Sequence, residues 1–323
     1  MQGRQLAVVE DWQLHPVNRF RTAYDCAIAA AASRTPLADF ITGYVTDVTH
    51  DYDAIYADES EWKLLPAFDH PTEPTRCLVS GTGLTHRKSA DNRNAMHAST
   101  AVTVTDSMRI YEWGVQGGRP EPGAIGAQPE WFYKGCGAIL RGHGAPLEVP
   151  DYAEDGGEEP EIAGIYIVDD GGAPWRVGFA IGNEFSDHQM ESRNYLYLAP
   201  SKLRTCALGP ELLVAAPFDD VHGTVTVERA GQPLWSQEVA SGDANMVHTL
   251  ANLEYHHFKY AAHRCPGDAH VHFFGTGGFS YGAGIRLEDG DQMVVAFEGY
   301  GRPLRNPVRI DRKAPEMIAV QAL

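Results

Sequence analysis

Glu159-Pro160-Glu161-Ile162-Ala163-Gly164-Ile165-Tyr166-Ile167-Val168 is the stretch from which the rest of the chain is read. Its apolar run, closed by Asp169-Asp-Gly-Gly172, predicts a strand. Residues two apart in an extended chain face the same side, so the carboxylates of Glu159 and Glu161 point one way. At that separation they repel unless a cation sits between them. A third acid, Glu184, follows one predicted strand later in Val177-Gly-Phe-Ala-Ile-Gly-Asn-Glu-Phe-Ser186. Two neighbouring strands can therefore gather three acids around one ion. Oxygen-only ligands suit Mg²⁺, Mn²⁺ or Ca²⁺ better than zinc. The same letters also fit a solvated loop, because short E-x-E pairs are common and weakly specific.

Working outward, short apolar runs alternate with Gly- and Pro-rich turns from Arg76 onward: Cys77-Leu-Val-Ser, Gly223-Thr-Val-Thr-Val-Glu and Met293-Val-Val-Ala-Phe-Glu. Helical stretches are fewer, chiefly Ser89 to Ser99 and Met246 to His263. Without a regular βαβ alternation, this predicts a β-rich α+β fold. Residues 1–73 read as a small mixed domain, with a strand at Leu6-Ala-Val-Val and an alanine-rich helix from Thr22 to Ser33. Pro36 stands at a second helix start. Pro66, Pro71 and Pro74 mark the join to a catalytic domain over 74–323.

The 323 residues are 43% hydrophobic, enough for a large core, and carry a formal net charge of −17. A field of that sign repels nucleic acid and anionic lipid. It also means that an anionic substrate needs a local cation. No stretch approaches the roughly 18 apolar residues of a membrane helix, and the expected setting is the cytoplasm. The five scattered cysteines, with no C-x-x-C pair, read as small core residues.

His86 ends Gly81-Thr-Gly-Leu-Thr-His86, where a strand breaks at two glycines, a common place for a catalytic group. Gly81-Thr-Gly83 lacks the third glycine of a dinucleotide loop, and no G-K-[ST] follows. Tyr255-His-His257, His263 and His270-Val-His272 invite a zinc reading, but Phe273-Phe-Gly follows where a ligating Glu belongs. Structural hydrogen bonding is the expected role. Gly275-Thr276-Gly277-Gly278 is a turn where backbone can approach a ligand closely, or a plain tight turn.

The order of these pieces is more telling than any one of them. Gly81-Thr-Gly-Leu-Thr-His86, Glu159-Pro-Glu161, Gly182-Asn-Glu184-Phe-Ser186, Ala199-Pro-Ser-Lys202, Gly275-Thr-Gly277 and Glu288-Asp-Gly-Asp291 come in one series. Glu298-Gly-Tyr-Gly-Arg-Pro-Leu-Arg-Asn-Pro-Val308 completes it. The series resembles the fumarylacetoacetate hydrolase superfamily over about Arg76 to Val308. The resemblance implies a catalytic domain of rolled β-sheets, a Mg²⁺-type ion on Glu159, Glu161 and Glu184, and a homodimer. It also implies a catalytic Lys202 beside the substrate, an acid–base or lid role for His86, and substrate contacts from Thr276, Gly275 and Lys134. Phe132-Tyr-Lys134 reads equally as a half-buried strand whose Lys snorkels.

Three departures narrow the activity. Glu184 stands where many members have Asp, and Asp187-His188-Gln189 replaces A-R-D. Ser89, counted with the substrate-binding group, occupies the position of the Glu that pairs with the catalytic His in the hydrolases. C–C hydrolysis needs a base to activate water, whereas dehydration needs no added nucleophile. With the insert Tyr111 to Trp131, these features resemble the sugar-acid branch, whose members include 2-keto-3-deoxypentonate dehydratases yielding 2-oxoglutarate semialdehyde. The expected activity is metal-dependent loss of the C4 hydroxyl through an enolate, with Lys202 as base and His86 or Glu191 as acid. Hydrolysis of a 2,4-diketo acid, decarboxylation or isomerisation of a 2-oxo acid, and metal and sugar-acid binding without turnover stay open as alternatives.

Overall fold

The computed structural model describes residues 3–88, 90–91 and 105–323. Ser89 and most of the expected Ser89–Ser99 helix lie outside these described residues. In chain order the strands are β1 (Ala7–Glu10), β2 (Gln13–Pro16), β3 (His50–Asp51), β4 (Cys77–Gly81), β5 (Phe132–Cys136), β6 (Leu140–Arg141) and β7 (Leu147–Val149). There follow β8 (Pro160–Val168), β9 (Pro174–Asn183), β10 (Cys206–Leu208), β11 (Val221–Arg229), β12 (Gln232–Ser241), β13 (Ala269–Phe273), β14 (Gln292–Phe297) and β15 (Leu304–Ile310). The helices are α1 (Ala23–Ser33), α2 (Leu37–Thr42), α3 (Tyr52–Tyr56), α4 (Asp106–Gly117), α5 (His188–Arg193), α6 (Leu198–Ser201) and α7 (Leu250–Phe258).

The strands form a small sheet β1-β2-β3, a seven-stranded sheet β5-β4-β13-β8-β9-β10-β6 and a five-stranded sheet β12-β11-β14-β15-β7. This is the β-rich α+β architecture expected. The strand that opened the reading lies in the middle of the large sheet, buried at every position. Its period of two divides the side chains between two cores. Ile162 and Tyr166, with Phe179 and Ile181 of β9, pack against Val225, Val295 and Leu304 of the five-stranded sheet. Ala163 and Ile165, with Ala180, face the other way onto Phe68 and Ala27 of α1. Burying each large apolar side chain is worth about 1.5–3 kcal/mol, so both faces of β8 are firmly held.

Thr22 caps α1 by accepting a hydrogen bond from Asp25 N at 3.0 Å, and Arg34 ends the helix in the left-handed region at φ 53°. Pro36 precedes α2 as its cap residue and does not form its first turn. The Met246–His263 helix is shorter than expected: Thr249 caps α7 by accepting from Asn252 N at 3.1 Å, and a 3₁₀ turn follows at Ala261–His263. The cysteines are unpaired, and Cys26, Cys77 and Cys206 are buried as expected. Cys265 is exposed, on the loop before β13, so a core role does not apply to it.

The registers bring several strand ends to one rim of the seven-stranded sheet. Phe273 pairs with Gly81 and with Ala163, Gly81 pairs with Phe132, and Pro160 pairs with Asn183. The C-terminal ends of β4, β9 and β13 thus meet the N-terminal ends of β5 and β8.

Candidate metal and active site

The rim is where the acids gather. Glu184 N donates to Glu159 O at 2.9 Å, extending the β8–β9 ladder past its last residue pair. Glu159, Glu161 and Glu184 each offer a carboxylate oxygen within 4.8 Å of the others. All are buried, which removes the solvated-loop reading. Three carboxylates in so dry a place demand positive charge.

Two lysines supply part of it. Lys202, from the turn after α6, donates to Glu159 Oε1 at 2.5 Å, Glu184 Oε2 at 2.6 Å and Ser186 Oγ at 2.9 Å. Lys134 on β5 ion-pairs with the Glu184 carboxylate. It also donates to the backbone oxygens of Glu184, Phe185 and Lys202 at 2.7, 2.9 and 3.0 Å. Lys134 is therefore buried and does not snorkel, and its three N–H bonds serve protein groups. His188 completes the set with Nε2 3.0 Å from Glu159 Oε1 and its ring stacked on Phe279 at 4.6 Å.

Burial alone would push Glu159 upward, but Lys202 and His188 hold its carboxyl well below the usual range. Glu161 moves the other way, raised well above it by burial and by the charges of Glu184 and Glu159. Glu184 is also raised, by burial and then by Glu159, against the two lysines. Glu161 has one charge-assisted partner, Gly275 N–H, at 2.7 Å. A cluster of three acids and two ammonium groups, with Glu161 lacking an ion pair among the described residues, has room in its charge balance for a divalent cation. Burial and like charge favour the protonated form of Glu161, so a metal ion competes with protons there. We expect Mn²⁺ affinity to weaken as pH is lowered. Uptake should release protons measurable by calorimetry in two buffers of different ionisation enthalpy. An affinity independent of pH would remove Glu161 from the ligand set.

The other expected residues are placed as follows. Gly275 adopts φ +93°, where a Cβ would fall 2.1 Å from Thr85 Oγ1, so glycine is required. Thr276 closes its own turn, accepting from Gly278 N at 3.1 Å and donating to Gly278 O at 2.8 Å. Thr85 donates its one hydroxyl hydrogen to Phe274 O at 2.7 Å, so it accepts from His86 Nδ1 at 2.9 Å. Burial lowers the His86 pKa to about 4, which favours the neutral ring, and with its hydrogen on Nδ1 that ring has its lone pair on Nε2. Glu191 is buried on α5, and its charge helps raise His188.

Glu130 was missed. Glu130 lies two residues before β5, and Glu130, Phe132 and Lys134 are each buried. The Lys202 ammonium lies 4.8 Å from the centre of the Phe132 ring. Its Oε1 accepts from Tyr195 Oη at 2.7 Å. Its Oε2 presses on Gly83, where a Cβ would fall 1.7 Å away. A second glycine of the loop before His86 is thus explained by a carboxylate. The E-x-F-x-K spacing was the available signal.

No family model matches the chain. A probable 2-keto-3-deoxyxylonate dehydratase of Haloferax volcanii is 27% identical over 179 residues, spanning 54% of this chain and 58% of the relative. Among solved structures, a hexagonal crystal form of 2-keto-3-deoxyarabinonate dehydratase is 19% identical and covers 95% of each chain, with a TM-score of 0.68. The 2-keto-3-deoxy-D-arabinonate dehydratase complexed with magnesium and 2,5-dioxopentanoate is 18% identical at the same coverage and TM-score 0.68. A 5-carboxymethyl-2-hydroxymuconate delta-isomerase from Mycobacterium smegmatis is 20% identical, covering 84% of this chain and 88% of its own, with a TM-score of 0.53. The fold is the fumarylacetoacetate hydrolase-like one expected from the sequence, and the similarity extends to proteins named as sugar-acid dehydratases.

Proposed function

We propose that the chain is a divalent-metal-dependent hydro-lyase that dehydrates a 2-keto-3-deoxy sugar acid of pentonate type to 2-oxoglutarate semialdehyde. The buried triad of Glu159, Glu161 and Glu184 carries this reading. Its hard-oxygen donors fit Mg²⁺ first, with Mn²⁺ or Ca²⁺ accommodated by the same chemistry. The dehydratase names of the similar proteins support it, as does the magnesium in one of their structures. When bound there, such an ion supplies Lewis-acid polarisation of a chelated 2-keto carboxylate and so acidifies the C3 hydrogens.

The chain's own residues divide the remaining work. Lys202 and Lys134 hold Glu159 and Glu184 in place. Two carboxylates hold the Lys202 ammonium, and the base role is assigned to Glu130, a buried carboxylate outside the triad, two residues before β5. Glu130 takes a C3 proton, and the C4 hydroxyl leaves as water with a proton from Glu191 or from the Glu130–Tyr195 pair. Moving a hydrogen from C5 to C3 of the resulting 2-keto-3-ene gives an enol at C4–C5, which gains a proton at C4 and loses its hydroxyl proton to become the C5 aldehyde, so the balance is the loss of one water. His86, neutral with an open Nε2, is an acceptor for a substrate hydroxyl and a poor proton donor.

The test is incubation of the purified protein with Mg²⁺ and either 2-keto-3-deoxypentonate or an acylpyruvate. Formation of semialdehyde is expected. Release of pyruvate would show C–C hydrolysis, and tight binding without turnover would show a binder.

A further inference from the structure

The histidines flagged in the sequence lie behind the active site. Along β13, Val271 and Phe273 belong to the core shared with Ala163 and Ala180, on the side of the acids, and His270 and His272 alternate to the opposite face. His272 is buried, with Nδ1 2.8 Å from Ser80 Oγ and Nε2 2.7 Å from Thr82 Oγ1. Burial, then His270 and His263, lower its pKa to about 3. A neutral imidazole has one donor and one acceptor, and here both are used on two hydroxyls of the β4 end. Its neighbour His257, on α7, has its ring centre 4.3 Å away. Trp131 Nε1 donates to His257 Nδ1 at 3.2 Å. That fixes the His257 proton on Nε2, which donates to His270 Nδ1 at 3.0 Å.

We infer that this buried imidazole network is a positioning device, holding from the far side of the sheet the segments that surround the substrate. His272 holds Thr82, whose N–H donates to Phe273 O at 2.9 Å. The Thr82 carbonyl would lie 2.9 Å from a Cβ on Gly275, the residue whose N–H meets Glu161. His257 holds Trp131, which stands between Glu130 and Phe132 with its side chain turned to the opposite face. One network therefore sets the Gly81–His86 loop, the Gly275 turn and the base-bearing end of β5. The histidines touch no substrate and act through Thr82 and Trp131. Glu159 and Glu184, held by the β8–β9 ladder and the lysines, do not depend on it.

The inference rests on the keto-acid reading of the site, and the experiment separates the two. Full-length protein is titrated by calorimetry with Mn²⁺ and then, Mn²⁺-loaded, with pyruvate as a plain 2-keto acid. In Thr82→Val, which keeps the shape and removes one hydroxyl, and in His272→Phe, Mn²⁺ affinity should stay within about threefold of wild type. Pyruvate affinity should fall about fivefold to tenfold, and the double variant should be no weaker than His272→Phe alone. Thr82→Val and Trp131→Phe are the gentler changes and decide the matter if His272→Phe does not fold. Lower thermal midpoints with unchanged pyruvate affinity would reduce the network to core hydrogen bonding and overturn the inference. Failure of the wild type to bind Mn²⁺ or pyruvate would overturn the site reading itself.

Discussion

Glu161→Gln should abolish turnover and metal binding, and leave the metal-free protein as stable as wild type or more so. Among the three acids, Glu159 and Glu184 already face ammonium groups, and Glu161 is the one whose carboxyl is raised well above its usual range by burial and like charge. Replacing it with an isosteric amide puts a neutral group where burial and like charge already oppose an ionised one, and so carries little or no penalty for folding. The cost falls on the loaded state. Lewis-acid polarisation is worth several kcal/mol at the transition state, so its loss should lower kcat by about a thousandfold or more. The check is a pair of thermal melts with and without Mn²⁺, beside a rate assay. The wild-type midpoint should rise with metal and the variant's should not. A variant with a normal metal-induced shift would remove Glu161 from the site.

Glu130→Gln should stop C3 hydrogen exchange into heavy water without weakening metal binding. The carboxylate is buried two residues before β5 and is steered by Tyr195 and the bare backbone of Gly83. Removing a positioned general base typically costs about 10²–10⁴ in rate. The amide keeps the shape and can still meet the Tyr195 hydroxyl, so Mn²⁺ affinity should be unchanged. Proton NMR of the C3 signals in a metal-loaded sample measures the exchange directly. Exchange at the normal rate would return the base role to another residue, with Lys202 next to be tested.

How much of this was legible in the sequence follows from the range of each signal. The acids of β8 and β9 could be read because their spacing is local and a strand has a period of two. Thr22 and the alanines of α1 could be read for the same reason. The ladder joining Glu159 to Glu184 was implied only by the assumption that the two strands pair. The network around the acids was not legible, because Lys134, Lys202 and His188 arrive from separate segments and their charges meet only in three dimensions. Lys202 was placed beside the acids by motif order, yet its role as base depended on a free amine. The structure pairs its ammonium with two carboxylates at 2.5 and 2.6 Å, and on that ground the base role is proposed for Glu130 instead. Glu130 carries no local mark except alternation with Phe132 and Lys134, and Gly83 shows its purpose only when that carboxylate is folded against it. The histidines were read as structural, and their contacts agree; what they hold could not be read from spacing.

The ammonium of Lys202, clasped by Glu159 and Glu184, has one more consequence. Because the chain carries its own countercharge, it needs no captured ion in order to acquire or keep its shape, unlike small domains that collapse only around zinc. The empty form should survive chelation and dialysis intact, and regain full competence on simple readdition of the ion.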